Sequence, residues 1–334
     1  MKLLRKILFP FVPVYYAVTT VRNLMYDLGI KKSRHFNFPV ICVGNLSVGG
    51  TGKTPMIEYL IRLLKDDKYV ATLSRGYKRK TEGFKLADAT DSAESIGDEP
   101  FQFYSKFGAS ILVVVDANRV NGINRLQALT KAPNVVLLDD AFQHRQVKAG
   151  LNILLTTYSN PFFCDLVLPT GDLREPKVGV KRANIIVVTK CPTNLNHSDK
   201  AFFIRNMNLK PYQTVFFSSI VYSNTVVSVS KTLELDALNR FTLITGIANA
   251  SALVDFLKSK ELQFEHLNFS DHHDFTKDEI KAFEAKELIV TTEKDFMRLK
   301  QYDSLSEKLF YLPITVLISE PEKFNKLILD FVES

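Results

Sequence analysis

Runs of consecutive apolar residues, each of strand length, recur through the first half of the chain, and helix-like stretches separate them. Strands of a parallel sheet that is covered on both faces show such unalternating Val, Ile and Leu runs. The pattern therefore predicts an α/β fold with a mostly parallel sheet and helices on both of its faces. The runs are Pro39–Val43, Val70–Ser74, Ile111–Val115, Val135–Leu138, Leu151–Thr156 and Ile185–Thr189.

The pattern weakens after Lys190, and a stretch from Pro211 to Asp236 mixes apolar residues with Ser and Thr, which predicts a β-rich connection. A second α/β set follows, with a helix near Asn249–Ser259. Its predicted strands are Phe241–Thr245, Leu288–Thr292 and Leu309–Leu317. These changes predict an N-terminal segment of residues 1–30, a core of residues 31–212, a β-rich linker of residues 213–238 and a smaller C-terminal α/β lobe of residues 239–334.

The first thirty residues place basic side chains ahead of an uncharged stretch from Ile7 to Val21, too short for the roughly 20 residues that cross a bilayer as a helix. No small-x-small cleavage site follows, which argues against a signal peptide. Two predictions remain, a segment on a membrane surface or a helix packed on the main domain. On a membrane, the headgroup boundary would receive Leu3, Leu4, Ile7, Leu8, Phe11, Tyr15 and Tyr16, and anionic lipid would face Lys2, Arg5, Lys6 and Arg22.

Composition narrows the class of protein. The 334 residues are 46% hydrophobic and 24% charged, enough for a large core, and a length above about 250–300 residues favours two lobes. A net charge of +7 favours anionic partners, but no nucleic-acid motif accompanies it and no obligate protein partner is indicated. Cys42, Cys164 and Cys191 form no CxxC pair, which is typical of the reducing cytosol and predicts neither disulfides nor a cysteine zinc site.

The strongest chemical signal follows the first apolar run. There the chain reads Ser47-Val48-Gly49-Gly50-Thr51-Gly52-Lys53-Thr54 and continues into an amphipathic stretch, Pro55–Lys65. A strand, a glycine-rich loop and a helix in this order form a phosphate-binding P-loop, whose backbone N–H groups converge on phosphate oxygens. Lys53 is predicted to bridge the β and γ phosphates, and the Thr54 hydroxyl to ligate Mg²⁺. Ser47 stands where the general pattern has glycine.

A pair of carboxylates follows the run Val135–Leu138. Asp139 and Asp140 have the character of a Walker B element, and either one is predicted to hold Mg²⁺ directly or through water. The [NT]KxD motif, with which GTP-specific P-loop proteins bind guanine, is incomplete here, because Pro192 replaces its Asp after Thr189-Lys190-Cys191. A weaker match to the motif, Thr292-Glu293-Lys294-Asp295, lies in the predicted second lobe. ATP is therefore predicted over GTP.

Taken together, these residues resemble the tetraacyldisaccharide 4'-kinases of lipid A biosynthesis over nearly the whole chain. That family also has Ser at the position of Ser47. The matching motifs are Gly44-Asn45-Leu46-Ser47-Val48-Gly49-Gly50-Thr51-Gly52-Lys53-Thr54-Pro55, Leu73-Ser74-Arg75-Gly76-Tyr77, Gly97-Asp98-Glu99-Pro100, Asp139-Asp140-Ala141-Phe142-Gln143-His144, Leu168-Pro169-Thr170-Gly171-Asp172-Leu173-Arg174-Glu175-Pro176, Asp271-His272-His273 and Thr292-Glu293-Lys294-Asp295.

The resemblance implies a P-loop fold and an ATP-dependent kinase that phosphorylates the 4'-hydroxyl of a tetraacylated glucosamine disaccharide 1-phosphate. It also implies a peripheral or monotopic location at the cytoplasmic face of a Gram-negative inner membrane. An acylated sugar stays in the bilayer, so a basic and aromatic opening segment on the membrane surface is consistent with that substrate.

The resemblance also implies roles for residues that carry little signal alone. Asp98 is expected to be the catalytic base and His272 its partner. Without the resemblance, the sequence would favour an acid in a turn or at a helix start for Asp98 and a polar helix cap for His272. Arg174 is expected to stabilise charge and Glu175 to be linked to Mg²⁺. The disaccharide or its 1-phosphate is expected to contact Asn45, Arg75, Arg119, Gln143 and His144.

Two other functional classes fit the P-loop. One is an ATPase or GTPase that switches conformation at the membrane surface, and it predicts turnover without an acylated disaccharide. The other is a kinase of small soluble metabolites, which predicts activity without lipid and no loss on deleting residues 1–25.

Overall fold

A computed structural model describes Arg5, residues 7–271 and residues 273–334. The strands are β1 Val40–Asn45, β2 Val70–Ser74, β3 Lys85–Leu86, β4 Leu112–Val115, β5 Val135–Asp139, β6 Leu151–Thr157, β7 Ile185–Thr189, β8 Thr214–Tyr222, β9 Thr225–Val227, β10 Thr232–Glu234, β11 Arg240–Thr245, β12 Gln263–Asn268, β13 Ile289–Thr292, β14 Leu309–Leu312 and β15 Ile314–Ile318. The α-helices are α1 Val12–Asp27, α2 Lys53–Leu64, α3 Ala93–Ile96, α4 Asp98–Phe107, α5 Arg119–Gln127, α6 His197–Asn206, α7 Ser251–Ser259, α8 Lys277–Glu284, α9 Glu293–Leu299 and α10 Pro321–Glu333.

In the described part of the chain the strands form two sheets. The larger has the order β15-β8-β7-β6-β1-β5-β2-β4-β3, parallel except where β15 and β3 join its edges. The smaller has the order β10-β9-β14-β13-β11-β12, with a parallel part from β14 to β12. The predicted mostly parallel α/β fold with a second, smaller lobe is confirmed.

The larger sheet is buried on both faces, and its central strands are apolar at nearly every position before their carboxyl ends. Ile41 and Val43 of β1 pack on one face with the apolar side of α2 and with α10. Val40 and Cys42 point to the other face, where α5 and α6 contribute Ile123, Leu126 and Phe203. The core therefore fixes β1 and its neighbours firmly, and their carboxyl ends define one edge of the sheet.

The domain boundaries differ from the predicted ones. The predicted linker of residues 213–238 is rich in β structure, but β8 belongs to the larger sheet and β9 and β10 to the smaller one. The predicted strand Leu309–Leu317 is two strands, because Pro313 has no N–H for a ladder bond and the chain changes sheets there. As a result β15 and α10 join the larger lobe, and the last part of the predicted C-terminal lobe, residues 239–334, lies on the first sheet.

Candidate active site

The glycine-rich loop connects β1 to α2, in the strand, loop and helix order predicted from the sequence. Gly49 and Gly52 have φ angles of 97° and 88°, which residues with a Cβ rarely adopt. Lys53 and Thr54 are the first residues of α2, at the end of a helix where free N–H groups favour anions. The loop from Ser47 to Thr54 can therefore hold phosphate oxygens.

Side chains from neighbouring strand ends brace the loop. The Asn45 side-chain amide donates to the Thr51 hydroxyl at 2.7 Å. Thr189 is the last residue of β7, and its hydroxyl donates to the Thr51 carbonyl at 2.8 Å. The Lys190 ammonium donates to the Gly50 carbonyl at 2.6 Å. These contacts hold the loop in one conformation, so little ordering remains to be done when phosphate binds.

The acid pair lies beside the loop, because β5 is the neighbour of β1 and Asp139 is in register with Val43. Asp139 is buried, burial raises its pKa to about 7, and its Oδ1 has no hydrogen-bond partner among the described residues. Asp140 has a φ of 47° and directs its carboxylate toward the loop, with Oδ1 3.7 Å from Lys53 Nζ. The structure thus brings together the predicted lysine and the predicted acids.

Arg174 and Gln143 extend this cluster. Arg174 NH1 donates to both carboxylate oxygens of Asp140, at 2.8 and 3.0 Å. Gln143 Nε2 donates to the Asn45 carbonyl at 2.8 Å, and so ties the segment after β5 to the end of β1. Asp140 therefore lies between two cations, Lys53 and Arg174, and three of the predicted phosphate-site side chains form one connected group.

Glu175 is buried and its carboxylate is surrounded by donors. Oε1 accepts from Gln143 Nε2 at 3.0 Å and from Arg182 NH2 at 2.6 Å, and Oε2 accepts from Asn23 Nδ2 at 2.6 Å. Both oxygens are occupied by protein groups in this arrangement. The geometry favours a carboxylate that fixes its neighbours over one that ligates an ion, and the metal role of Glu175 stays a prediction.

Asp98 is the first residue of α4, at the boundary between the lobes. Its Oδ2 accepts a hydrogen bond from Arg298 Nε at 2.9 Å, and Arg298 belongs to α9 of the second lobe. The predicted partner His272 lies outside the described residues, so the pair stays a prediction. The adjacent His273 has its Nε2 2.9 Å from Glu279, which assigns it a local role at the start of α8.

Arg75, Arg119 and His144 follow β2, β4 and β5 at the same edge of the sheet. Arg119 is buried, and its Nε has no hydrogen-bond partner among the described residues. Burial, together with the positive charges of Arg119, Arg22 and Arg75, lowers the pKa of His144 to about 4. An uncharged imidazole among cations indicates a region of strong positive potential, which suits a phosphate group.

Helix α1 packs one side on this cluster. The Tyr15 hydroxyl donates to the Arg174 carbonyl at 2.9 Å, and Arg22 NH2 donates to the Gln143 carbonyl at 2.8 Å. The prediction that Tyr15 and Arg22 face lipid is therefore wrong, because both reach polar groups of the main domain. Arg5 likewise pairs with Asp172 at 2.7 Å, and Lys2, Leu3, Leu4 and Lys6 lie outside the described residues.

The other side of α1 is apolar and open to solvent. Large side chains that are between 50% and 65% exposed recur at helical spacing along it and just past its end, as Val14, Val18, Val21, Leu24 and Leu28. The prediction of a helix packed on the main domain is confirmed for this side of α1. A location on a membrane surface stays a prediction, and the outward apolar stripe is the feature that favours it. No helix in the described ranges has the length and apolar character needed to cross a membrane.

Several residues of the site were not found by sequence reasoning. Arg298 and Asn23 contact predicted site residues from distant points in the chain, and Arg182 contacts Glu175 from seven residues away. Asn23 carried little signal in the sequence, because α1 also contains Thr, Arg and Asp, and only the structure shows that Asn23 is buried. Arg298 and Arg182 carried no local signal, because a lone arginine on a short helix or turn resembles a solvated surface charge.

Chemically, the site combines an anion-binding loop, a lysine, a pair of acids and several arginines at the carboxyl edge of one sheet. Few groups in it act as nucleophiles, and most are cations or hydrogen-bond donors. Such a set of groups suits phosphoryl transfer, in which the protein positions the reactants and neutralises charge.

Comparison with known proteins gives a full-length match. A model of the tetraacyldisaccharide-1-P 4'-kinase family matches residues 4–333. The tetraacyldisaccharide 4'-kinase of Flavobacterium psychrophilum is 49% identical, with 100% of this chain and 98% of the relative covered. That of Bacteroides thetaiotaomicron is 45% identical, with coverage of 98% and 93%.

A solved structure agrees with these sequence matches. The crystal structure of LpxK from Aquifex aeolicus in complex with ATP superimposes with a TM-score of 0.78 and 33% sequence identity, and the match covers 98% of this chain and 99% of that one. The match extends over both lobes, so the arrangement of the two sheets is shared and not only the P-loop core.

Proposed function

The chain belongs to the tetraacyldisaccharide 4'-kinase family, and on this premise we propose how its residues carry out the reaction. It is a kinase that transfers the γ-phosphate of ATP to the 4'-hydroxyl of a tetraacylated glucosamine disaccharide 1-phosphate in lipid A biosynthesis. The observation that carries the mechanism is the contact of Lys53 with Asp140, beside an unpartnered buried Asp139 at the mouth of the P-loop.

ATP binds through the loop Ser47–Thr54. Backbone N–H groups at the start of α2 contact phosphate oxygens. The Lys53 ammonium leaves Asp140 and binds the β and γ phosphates instead. Arg174 then remains beside Asp140, where its guanidinium neutralises charge on the transferred group. The free-energy gain comes from donors that are already in place before the nucleotide arrives.

Mg²⁺ fits the groups that are present. The buried Asp139 Oδ1 lacks a hydrogen-bond partner among the described residues, and a carboxylate oxygen in that state is a suitable ligand for a hard cation. The ion would be held by Asp139, Asp140 and the Thr54 hydroxyl. Glu175 would support this site indirectly, through its hydrogen bond with Gln143. When bound, Mg²⁺ supplies neutralisation of the phosphate charge.

Asp98 accepts the proton of the attacking 4'-hydroxyl. Its position at the lobe boundary supports this role, because a disaccharide between the lobes would meet its carboxylate. Arg298 orients that carboxylate from the second lobe, and His272 is expected to assist it. Closure of the lobes on both substrates would complete the arrangement.

The substrate's 1-phosphate is the second anion that the site must bind. Arg75 and Arg119 supply positive charge, and the neutral His144 supplies a ring nitrogen without a partner among the described residues. Asn45 and Gln143 lie close enough to the loop to contact the sugar, although Asn45 is fully buried in the present conformation.

The exposed stripe of α1 docks on the membrane that contains the acylated substrate. Its apolar side chains are arranged as in interfacial helices, and the chain's net charge of +7 favours anionic lipid. Because the opposite side of α1 touches Arg174 and Gln143, docking places the phosphate site at the bilayer surface, where the 4'-hydroxyl is found. The cytoplasmic face of the inner membrane is the location at which ATP is available.

Release of ADP, measured with and without the acylated disaccharide, tests the proposal. A kinase releases ADP in proportion to the disaccharide supplied, in mixed micelles that keep the substrate dispersed. ADP release that is equally fast without the disaccharide would favour the conformational ATPase class instead. Activity on soluble sugars without lipid or detergent would favour the kinase of small metabolites.

A further inference from the structure

Asn23 differs from its neighbours on α1. It is buried in the middle of a helix whose other side is apolar and exposed. Its Nδ2 donates to Glu175 Oε2 at 2.6 Å, and its backbone carbonyl accepts from Arg145 NH1 at 2.8 Å. A buried amide costs stability unless it is paired, so this contact is a specific requirement of the fold at this place.

Glu175 connects Asn23 to the P-loop. The carboxylate accepts from Gln143 Nε2 at 3.0 Å, and the same amide donates to the carbonyl of Asn45, the last residue of β1. Gln143 Oε1 also lies 3.4 Å from Arg174 NH1, the group that binds Asp140. A continuous series of hydrogen bonds therefore leads from α1 to the acid beside Lys53.

We propose that Asn23 is a positioning residue for phosphoryl transfer, which acts through Glu175 to orient Gln143 and Arg174. The two sides of α1 then have separate tasks, since the exposed stripe binds the membrane and Asn23 organises the phosphate site. This inference rests on the proposed function, because it assigns Asn23 to the same reaction.

The physical reason is the balance of donors around Glu175. Without the Asn23 amide, Oε2 becomes a buried oxygen with no donor, and the carboxylate rotates toward Arg182, which already binds Oε1 at 2.6 Å. That rotation weakens the contact with Gln143 and frees Arg174 to move. Outer groups of this kind typically change activity by about 10–100-fold when they are replaced at metal sites.

The test uses the full chain and three variants. Asn23→Leu removes the amide and keeps the branch at Cγ. Asn23→Asp keeps the size and shape but places a second carboxylate beside Glu175, and Leu24→Ser alters the adjacent exposed position. For each we measure kcat and the KM for ATP in mixed micelles, sedimentation with vesicles containing anionic phospholipid, and Tm.

For Asn23→Leu we expect kcat to fall about 10–100-fold with little change in the KM for ATP and unchanged sedimentation. For Leu24→Ser we expect weaker sedimentation. For Asn23→Asp we expect a similar fall in kcat, because a second carboxylate beside Glu175 cannot donate a hydrogen bond to Oε2.

Three results would overturn the inference or its premise. If Asn23→Leu keeps kcat within about twofold, Asn23 does not position the site. If kcat of both Asn23 variants falls only in step with Tm, or the KM for ATP rises as much as kcat falls, the residue serves the fold alone. If the unsubstituted protein transfers no phosphate to the acylated disaccharide, the proposed function fails first and the inference fails with it.

Discussion

Individual residues at the lobe boundary decide whether the proposed chemistry can occur. Asp98 is held by Arg298, a contact between residues 200 positions apart, so the second lobe determines the orientation of the proposed base. The Asp98 carboxylate is therefore oriented to accept a proton only when the second lobe is packed against the first. The role of Asp98 can be separated from nucleotide binding, because the P-loop lies on other elements.

Replacing Asp98 with Asn removes the proton acceptor and keeps the size of the side chain. We expect kcat to fall about 10²–10⁴-fold, the usual contribution of general-base catalysis, while ATP affinity is unchanged. Steady-state kinetics and nucleotide titration check both parts. Near-full kcat in Asp98→Asn would exclude this residue as the base.

Gly97 precedes Asp98 and holds the start of α4. Its φ is 97°, and an added Cβ would lie 3.2 Å from Gly76 Cα and from the Tyr77 carbonyl. We expect Gly97→Ala to cost about 1–3 kcal/mol of unfolding free energy and to lower kcat by displacing Asp98. Urea unfolding and steady-state kinetics measure the two effects.

Gly83 provides the matched control for this prediction. It also has a positive φ, of 66°, but an added Cβ meets nothing within 4 Å. Gly83→Ala should therefore lower stability by the backbone strain alone and leave kcat unchanged. Equal effects of the two substitutions on kcat would show that the position of Gly97 beside Asp98 has no importance.

At the residue scale, the sequence predicted those parts of the site whose signal is local. The loop and the acid pair are each contiguous and follow an apolar run, so their elements could be recognised together. The donors around Glu175 come from residues 23, 143 and 182, and no local pattern relates those positions. Only the folded chain brings them together.

Among the elements, α1 has an unusual distribution of polarity. Tyr15, Arg22 and Asn23 reach polar groups of the protein, whereas most of the large apolar side chains face outward, the reverse of an ordinary surface helix. Because an exposed apolar stripe is costly in water, it indicates a surface that is covered in the working protein.

The double substitution Val14→Ser/Val18→Ser tests this stripe. Both side chains are 62% exposed, so Tm should change little, whereas binding to anionic vesicles should weaken about tenfold as buried apolar area is lost. Sedimentation against lipid concentration measures the binding. Unchanged sedimentation would contradict the assignment of this side to the membrane.

The elements that the sequence predicted poorly share a physical cause. β12, Gln263–Asn268, is an edge strand and carries alternating polar residues, so it lacks the apolar run that identified the central strands. β14 and β15 form a mainly apolar stretch around Pro313, and only their partners show that they belong to different sheets. Strand pairing across the chain decided both cases, and single-sequence patterns do not contain it.

At the scale of the whole molecule, charged groups join the two lobes. Lys106 Nζ of the first lobe lies 2.6 Å from Glu58 and 2.5 Å from Glu293, the first residue of α9. Burial, with the nearby charge of Glu58, raises the pKa of Glu293 to about 7. Two carboxylates thus compete for one lysine at the junction that also positions Arg298.

This junction predicts a dependence of stability on pH. Because the pKa of Glu293 is raised on folding, the folded state holds a proton that the unfolded state releases, and stability falls as pH rises from about 4.5 to 7. Over this pH range we expect the free energy of unfolding of Glu293→Gln to fall by about 1–3 kcal/mol less than that of the unsubstituted protein. Urea unfolding at several pH values measures both. An identical pH profile in both proteins would contradict this account of the junction.

The central claim is that this P-loop transfers the γ-phosphate to the 4'-hydroxyl of an acylated disaccharide 1-phosphate. The direct measurement supplies ATP labelled at the γ-phosphate, with Mg²⁺, to the full chain and to Lys53→Ala in mixed micelles. The account predicts label at the 4' position with the unsubstituted protein and nearly none with Lys53→Ala. Label released only as inorganic phosphate, or equal transfer by both proteins, would contradict it.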